Sequence, residues 1–157
     1  MRFRLRDATA DDRPALLALL PRLAAFELPT DRRAEDLWHG DAQLLERFLD
    51  GHAPDCFALV AVPDDNSARE VWGLAFVRLQ PEPLSHDPSA HLEALVLAPS
   101  AEGQGMARAL IAAAEDRARE RGAQHMTLHV FESNTRARGL YDRAGYAAEI
   151  LRYRKTL

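Results

Sequence analysis

The alternation of apolar and polar residues divides the chain into strands and helices. Residues 2–6 alternate, with Phe3 and Leu5 on one face, which is typical of a half-buried strand. Residues 57–62 are continuously apolar, which predicts a strand buried on both faces. Four later strands are predicted over residues 71–79, 91–98, 125–130 and 146–154.

Leucines at helical spacing predict a helix close to the N-terminus. Thr9 and Asp12 precede them with the spacing of a capping box, and Pro21 should kink or break the helix. Three more helices are predicted over residues 41–48, 104–121 and 134–144. The order β-α-α-β-β-β-α-β-α-β predicts an α/β fold, in which a mixed sheet carries helices on its faces.

Composition narrows the class of protein. The chain has 157 residues, 47% hydrophobic and 28% charged, which predicts a single domain over residues 1–157. The net charge is −4 without a basic block, so we expect no nucleic-acid partner. We also expect no membrane span, because no apolar run is long enough, and no signal peptide, because the N-terminal segment MRFRLRDATADD alternates in charge. The single cysteine, Cys56, excludes an internal disulfide and favours a reducing, cytoplasmic location.

The glycine-rich stretch LVLAPSAEGQGMARAL, residues 95–110, joins a predicted strand to a predicted helix. Amides that open a helix lack intrahelical acceptors and carry the positive end of its dipole, so they can hold a phosphate group. Gly103 and Gly105 alone also suit an ordinary strand-to-helix turn. The stretch lacks the Lys-Ser/Thr of a Walker A motif and the third glycine of a dinucleotide fingerprint.

A second element lies on the last predicted helix. Asn134, Ala137 and Tyr141 have the spacing i, i+3, i+7 and therefore share one helix face. Asn and Tyr on such a face indicate a polar site. In the structural alternative, Asn134 caps the helix and Tyr141 is a half-buried core residue.

Together, VLAPSAEGQGMARAL and NTRARGLYDRAGY resemble the GCN5-related N-acetyltransferase (GNAT) family, and the order of elements agrees over essentially the whole chain. The resemblance implies a mostly antiparallel mixed sheet of six to seven strands with about four helices. Gly105 and Ala107 match the last two positions of the family's phosphate-loop pattern, Arg/Gln-x-x-Gly-x-Gly/Ala, but Glu102 occupies the first. A carboxylate is unfavourable beside a pyrophosphate unless it turns away to solvent. Because the family uses mainly backbone amides here, we expect binding to be kept.

The resemblance implies acetyl-CoA as co-substrate. Its pantetheine arm would pair with the strand Leu95, Val96 and Leu97, and Asn134, with Ala137 on the same face, would contact the pantetheine region. The residues implied for the pyrophosphate are Gly103, Gln104, Gly105, Met106, Ala107 and Arg108.

Acetyl transfer to an amine poses two proton problems. An alkylammonium, whose pKa is near ~10, has no free lone pair and must lose a proton. Glu93 is the candidate base, and strict strand alternation places it on one face with His91, Leu95 and Leu97. Tyr141, which the resemblance places at the sulfur, would protonate the leaving thiolate.

RLAAFE, residues 22–27, together with HLEALVL resembles the diamine/polyamine (spermidine/spermine-type) branch of the family. That branch implies that Phe26, Glu27 and Glu93 hold and deprotonate a small-molecule amine. Two carboxylates would attract a polycation. The branch has a second acid directly after the strand Glu, where this chain has Ala94, so a lysine-like amine fits equally well.

The remaining chemistry-bearing residues favour direct transfer without a metal. Cys56 opens an apolar strand with no histidine spaced to activate it, so we expect a small buried hydrophobe rather than an acyl carrier. His125 and His129 lie too far apart on a strand to share an ion. We therefore predict an acetyl-CoA-dependent amine N-acetyltransferase, expected as a homodimer from the resemblance. The alternatives are a protein or peptide N-acetyltransferase and a non-catalytic acyl-CoA-binding regulatory module.

Overall fold

The computed structural model describes residues 2–65 and 70–157, in which a five-stranded sheet lies between two helical layers. The strands are β1 (Phe3–Asp7), β2 (Cys56–Pro63), β3 (Gly73–Pro81), β4 (Pro88–Leu97) and β5 (His125–Leu128). The helices are α1 (Arg13–Leu19), α2 (His39–Leu49), α3 (Met106–Glu120) and α4 (Thr135–Arg143). Short 3₁₀ turns span Ala10–Asp12, Leu20–Ala24, Ala34–Leu37 and Pro99–Ala101. The turn predicted over residues 63–70 lies partly outside the described residues.

The sheet is mixed, as the pattern predicted. Its order is β1-β2-β3-β4-β5, in which β1 to β4 are antiparallel neighbours and β5 runs parallel to β4. The parallel pair is possible because α3 forms a crossover connection between β4 and β5. None of the helices in residues 2–65 and 70–157 is long and apolar enough to cross a membrane.

Each face of the sheet buries its own core. The strand β2 is buried along its whole length, which confirms the prediction from its continuous apolar run. On one face, α1 and α2 bury Leu16 and Leu45 against Phe76 of β3. On the other face, α3 contributes the stripe Met106, Leu110, Ala114 and Ala118, as its spacing predicted.

The predictions for the two ends of the chain have different outcomes. The helix break at Pro21 is confirmed, since α1 ends at Leu19 and Leu20–Ala24 continues as a 3₁₀ turn. The predicted last strand over residues 146–154 is wrong, and the sheet has five strands instead of six to seven. Alternation gives a segment strand propensity, but a strand forms only where a partner edge supplies hydrogen bonds. Residues 147–157 have no such partner within the described chain and are exposed.

Candidate functional site: a cleft where β4 and β5 separate

The sheet opens along the second half of β4. The strand β5 pairs with β4 only from Ser89 to Leu92, whereas β4 continues to Leu97. Beyond Leu92, no described strand pairs with β4 on its β5 side, so the backbone of Leu95 and Val96 is unpaired there. Arg22 Nε donates a 3.0 Å hydrogen bond to the Leu97 carbonyl oxygen. The predicted cofactor strand therefore offers backbone groups to an extended ligand.

A β-bulge in β4 sets the direction of Glu93. The β3–β4 register shifts between Phe76 and Val77, and Glu93 is the extra residue on β4. Leu95 and Leu97 pack against the α3-side core, whereas Glu93 faces a pocket on the α2 side. The prediction that Glu93 shares a face with Leu95 and Leu97 is therefore wrong, because the bulge interrupts the strict alternation on which it relied.

A pocket of about 500 Å³ lies between α2 and the bulge. Three of its lining residues are acids and two are arginines. The lining consists of Asp36, Leu37, Gly40, Asp41, Gln43, Leu44, Arg47, Arg78 and Glu93. Arg78 Nε is held by the Asp55 carboxylate at 2.9 Å, so part of its charge is already compensated.

Asp41 and Glu93 form a partly desolvated carboxylate pair in this pocket. Burial raises the pKa of Asp41 to about 7, with a further contribution from the negative charge of Glu93. Burial also raises the pKa of Glu93, against the opposing effect of the charges of Arg78 and His129. A carboxylate with a raised pKa is a suitable general base near neutral pH. The pair also favours a cation between its members.

Asp41 is a candidate that the sequence analysis missed. In the sequence, Asp41 was identified only as the first residue of the helix predicted over residues 41–48. The signal that could have found it is its position on the apolar stripe, one turn before the fully buried Leu45. An acid on the buried face of an amphipathic helix needs a partner or a function.

Two histidines, His91 on β4 and His129 after β5, contact each other, and the charge of His129 acts on Glu93. His91 Nδ1 lies 2.8 Å from Thr127 Oγ1, and its ring centroid lies 4.7 Å from that of His129. Burial lowers the pKa of His91 to about 4, and the charge of His129 contributes, so the His91 ring is neutral at physiological pH. In the described part of the chain, no group of three or more His, Cys, Asp or Glu residues could hold a metal ion.

The glycine-rich turn presents free amides at the start of α3. Gly103 and Gly105 both have φ of +75°, and a Cβ on either would meet no atom within 4 Å. The two glycines therefore serve backbone conformation and not close packing. No side chain caps α3, so its first amides are available to an anion. Met106 contributes only its backbone, because its side chain is fully buried.

Glu102 is neutralised by two arginines instead of turning away to solvent. Its Oε2 accepts a 2.7 Å hydrogen bond from Arg136 Nη1, and its Oε1 accepts one of 2.7 Å from Arg22 Nη2. The hydrogen bond from Arg136, followed by the influence of Arg22, lowers the pKa of Glu102. Glu102, which stands where the family pattern has Arg or Gln, thus holds two guanidinium groups beside the glycine-rich turn.

The helix α4 places the predicted polar face beside the cleft. Asn134 Oδ1 accepts a 3.3 Å hydrogen bond from the Ala137 amide, which confirms the helix cap. Its side-chain nitrogen has no hydrogen-bond partner among the described residues and can donate to a ligand. Burial raises the pKa of Tyr141 to about 12, so this phenol keeps its proton at neutral pH. The Tyr141 ring packs edge-on against Tyr146, with centroids 5.9 Å apart.

Phe26 and Glu27 lie apart from the carboxylate pair. The Phe26 ring packs against Phe131, with centroids 5.7 Å apart. Glu27 is exposed, and its carbonyl oxygen accepts a 2.8 Å hydrogen bond from Ser133 Oγ. Neither residue lines the pocket of Asp41 and Glu93, and their role in amine binding stays a prediction.

Cys56 behaves as the sequence predicted for a buried hydrophobe. Its side chain is buried and free of disulfide bonding, and burial raises the pKa of its thiol to about 11. A thiol that stays protonated is a poor nucleophile.

Solved structures share this architecture at low sequence identity. The aminoglycoside acetyltransferase AAC(6')-Iy, in complex with the bisubstrate analogue CoA-S-monomethyl-acetylneamine, has a TM-score of 0.72 at 20% identity, and the two chains are covered completely. Ribosomal-protein-alanine N-acetyltransferase from Brucella melitensis biovar Abortus 2308 has a TM-score of 0.71 at 20% identity, with 99% of this chain and 100% of that one covered. These similarities establish the fold.

Sequence comparison finds relatives over part of the chain. The uncharacterized N-acetyltransferase YdgE of Bacillus subtilis strain 168 is 33% identical over 96 residues, 61% of this chain and 59% of that protein. Mycothiol acetyltransferase of Renibacterium salmoninarum is 28% identical over 78 residues, 50% of this chain and 23% of that protein. The family described as Acetyltransferase (GNAT) family matches residues 20–146. With its split sheet, uncapped glycine turn and matching family pattern, the chain belongs to the GNAT acetyltransferase family.

Proposed function

We propose that this chain transfers the acetyl group of acetyl-CoA to a primary amine of a small molecule, by direct attack in a ternary complex. The observation that carries the proposal is the carboxylate pair of Asp41 and Glu93, which faces a pocket beside the opening between β4 and β5. A cationic amine is the group that such a pair attracts.

The cofactor side of the proposal rests on free backbone groups. The amides from Gly103 to the first turn of α3 would hold the pyrophosphate, and the unpaired edge at Leu95 and Val96 would pair with the pantetheine arm. The side-chain nitrogen of Asn134 would donate to the same arm. The neighbouring structure of AAC(6')-Iy contains a CoA-linked bisubstrate analogue, which supports acetyl-CoA as the co-substrate here.

The two proton transfers are assigned to Glu93 and Tyr141. Glu93, directly or through water, would accept a proton from the bound ammonium and free the nitrogen lone pair. The nitrogen then forms a bond to the acetyl carbon as the carbon–sulfur bond breaks, and it releases its second proton to solvent, from which the Tyr141 phenol would regain the proton that it donates. Tyr141, which stays protonated until about pH 12, would donate its proton to the departing thiolate. Acid–base assistance of this kind contributes about 10²–10⁴-fold to a rate.

The pocket favours a polyamine, a diamine or a lysine-like amine. Asp41 and Glu93 provide two carboxylates, whereas the lining acid Asp36 is ion-paired with Arg33 at 3.0 Å. Of the two lining arginines, Arg78 is paired with Asp55, and Arg47 is the other. Glu27 would bind a second, distal ammonium group of a longer polyamine. A homodimer and a cytoplasmic location also remain proposals for this chain.

The test is release of CoA thiol from acetyl-CoA with a panel of acceptors: spermidine, short diamines, lysine, thialysine, arylamines and short peptides. We expect turnover with an aliphatic polyamine or a lysine analogue, and little with arylamines, which are neutral at pH 7. Acetyl-CoA binding is measured in parallel by calorimetry. Turnover on peptides alone would assign a protein acceptor. Binding without turnover on any acceptor would contradict the enzyme and favour a non-catalytic acyl-CoA-binding module.

A further inference from the structure

Most of the pocket that holds the carboxylate pair is lined by a lightly buried segment. Six of its nine lining residues lie within residues 34–44, which we call the pocket wall. Within the described chain, none of residues 21–44 is buried, whereas Leu20 and Leu45, which flank this segment, are fully buried. A segment with few buried apolar contacts opens locally at little cost in free energy. The position of the wall therefore depends on other contacts.

Arg22 connects this segment to the cofactor side of the cleft. It belongs to the 3₁₀ turn Leu20–Ala24, which lies against both β4 and the 3₁₀ turn Ala34–Leu37 at the start of the pocket wall. Its Nε donates a 3.0 Å hydrogen bond to the Leu97 carbonyl oxygen, and its Nη2 donates one of 2.7 Å to Glu102 Oε1. Arg22 thus joins segments that lie 75 and 80 residues away along the chain to the support of the wall.

Both acceptors of Arg22 belong to segments that bound acetyl-CoA would contact. Leu97 ends β4, next to the unpaired backbone of Leu95 and Val96 with which the pantetheine arm would pair. Glu102 directly precedes the glycine-rich turn, whose amides would hold the pyrophosphate. A ligand that fixes the end of the strand and the turn therefore also fixes both partners of Arg22.

The charges around Glu102 make the link specific to this chain. Glu102 also accepts a 2.7 Å hydrogen bond from Arg136 Nη1, so two guanidinium charges share one carboxylate charge and the cluster has a net charge of +1. A pyrophosphate beside the turn would be attracted to this positive charge. An arginine at position 102, as in the family pattern, would repel Arg22, and a glutamine would offer one neutral oxygen to the two arginines. The acid is thus the residue type that joins them.

We propose that Arg22 is a positioning residue that transmits acetyl-CoA binding to the amine pocket. Acetyl-CoA at the glycine-rich turn holds Arg22 through Glu102 and the Leu97 carbonyl, and Arg22 in turn holds the pocket wall. The wall carries Asp41, so ordering it also fixes the carboxylate pair that Asp41 forms with Glu93. By linkage, an amine that prefers the ordered pocket strengthens acetyl-CoA binding by the same factor. The coupling rests on the proposed function for the identity of the ligand in the pocket.

Hydrogen–deuterium exchange measured by mass spectrometry, with and without saturating acetyl-CoA and with no amine present, tests this coupling. In the unmodified chain, we expect acetyl-CoA to slow the exchange of the pocket-wall amides by about fivefold or more, together with that of residues 103–108. In Arg22→Gln, residues 103–108 should still be protected, whereas protection of the wall should be lost. If acetyl-CoA protects residues 103–108 of the unmodified chain and leaves the wall unchanged, the coupling does not exist.

Arg136→Gln is the matched control. It removes the other guanidinium group from the same carboxylate and leaves both hydrogen bonds of Arg22 in place, so it should keep the protection of the wall. Loss of that protection in Arg136→Gln to the same extent as in Arg22→Gln would overturn the assignment to Arg22.

Arg22→Lys provides a second variant in case Arg22→Gln disturbs the fold, which the exchange of the buried β2 amides reports. Lysine keeps the charge but lacks the fork of donors with which a guanidinium reaches two acceptors, so we expect intermediate protection of the wall. Full protection in Arg22→Lys, or in a folded Arg22→Gln, would overturn the proposal.

The exchange experiment measures no turnover, so its outcome is separate from that of the acceptor panel. Turnover of an amine without protection of the wall would refute the coupling alone. Protection of the wall without turnover on any acceptor would refute the proposed reaction alone.

Discussion

Asp41 on α2 and Glu93 on the β4 bulge face the same pocket, and burial together with the charge of Glu93 raises the pKa of Asp41 to about 7. The negative charge of one carboxylate disfavours ionisation of a neighbouring one. A cation between the two carboxylates would favour the ionised form of both. The pair therefore links amine binding to amine deprotonation.

Replacing Asp41→Asn should weaken amine binding without affecting acetyl-CoA. Loss of one charge-assisted hydrogen bond of about 1.5 kcal/mol corresponds to a roughly tenfold higher KM for the amine. Glu46→Gln, on an exposed part of the same helix, is the matched control and should leave both KM values unchanged. Steady-state kinetics with each substrate varied in turn checks this. An increased KM for acetyl-CoA in Asp41→Asn would show that α2 serves the cofactor instead.

Replacing Glu93→Gln should remove the base and change the pH profile. Glu93 must be ionised to accept a proton, and burial raises its pKa, so kcat/KM should fall as the pH drops through that raised pKa. In Glu93→Gln we expect kcat/KM to be lower by about 10²–10⁴-fold and this acidic limb to be absent. Glu93→Asp, which keeps the carboxylate, should retain the limb at a reduced rate. If the profile of Glu93→Gln matches that of the unmodified chain, Glu93 is not the base.

Tyr141→Phe should reduce kcat and spare cofactor affinity. The phenol, whose pKa is raised to about 12 by burial, acts only on the departing thiolate, so we expect kcat to fall by about 10²-fold or more. Tyr146→Phe is the control: its ring lies 5.9 Å from that of Tyr141, and its hydroxyl donates to Glu115 at 2.9 Å. That control should keep its kcat. Equal losses in both variants would indicate that aromatic packing, and not proton donation, underlies the effect.

Glu102→Gln should strengthen acetyl-CoA binding. The change removes a negative charge beside the pyrophosphate turn and leaves Arg22 and Arg136 free to contact the ligand. For a partly exposed charge we expect a Kd lower by about two- to fivefold at low salt, with the difference reduced at high salt. Calorimetric titration measures this Kd. The control is Glu132→Gln, which removes the ion-pair partner of Arg138 on α4, the helix that also carries Arg136, and it should not change the Kd. A weaker Kd in Glu102→Gln would mean that the acid is needed to hold the two arginines in place.

Local patterns were sufficient for most of the fold. The buried run of β2, the helical stripe of α3 and the break at Pro21 follow from short-range periodicity and backbone chemistry, and the structure confirms all three. The glycine turn and the cap at Asn134 are local in the same sense, because their geometry depends on a few successive residues. The assignment of Phe26 and Glu27 to amine binding came from resemblance alone and stays a prediction.

The sequence by itself determined the order of the elements up to α4, the buried faces of β2 and α3, and the turn that opens α3, because each of these depends on neighbours along the chain. Only the tertiary structure decided the rest of the site. A one-residue bulge turned Glu93 toward α2, and a contact across the pocket brought Asp41 to it. Glu102 found its arginines 80 and 34 residues away. Residues 147–157 have the pattern of a strand, but a strand forms only beside a partner edge. Whether such an edge lies within reach is decided by the tertiary structure and not by the local sequence.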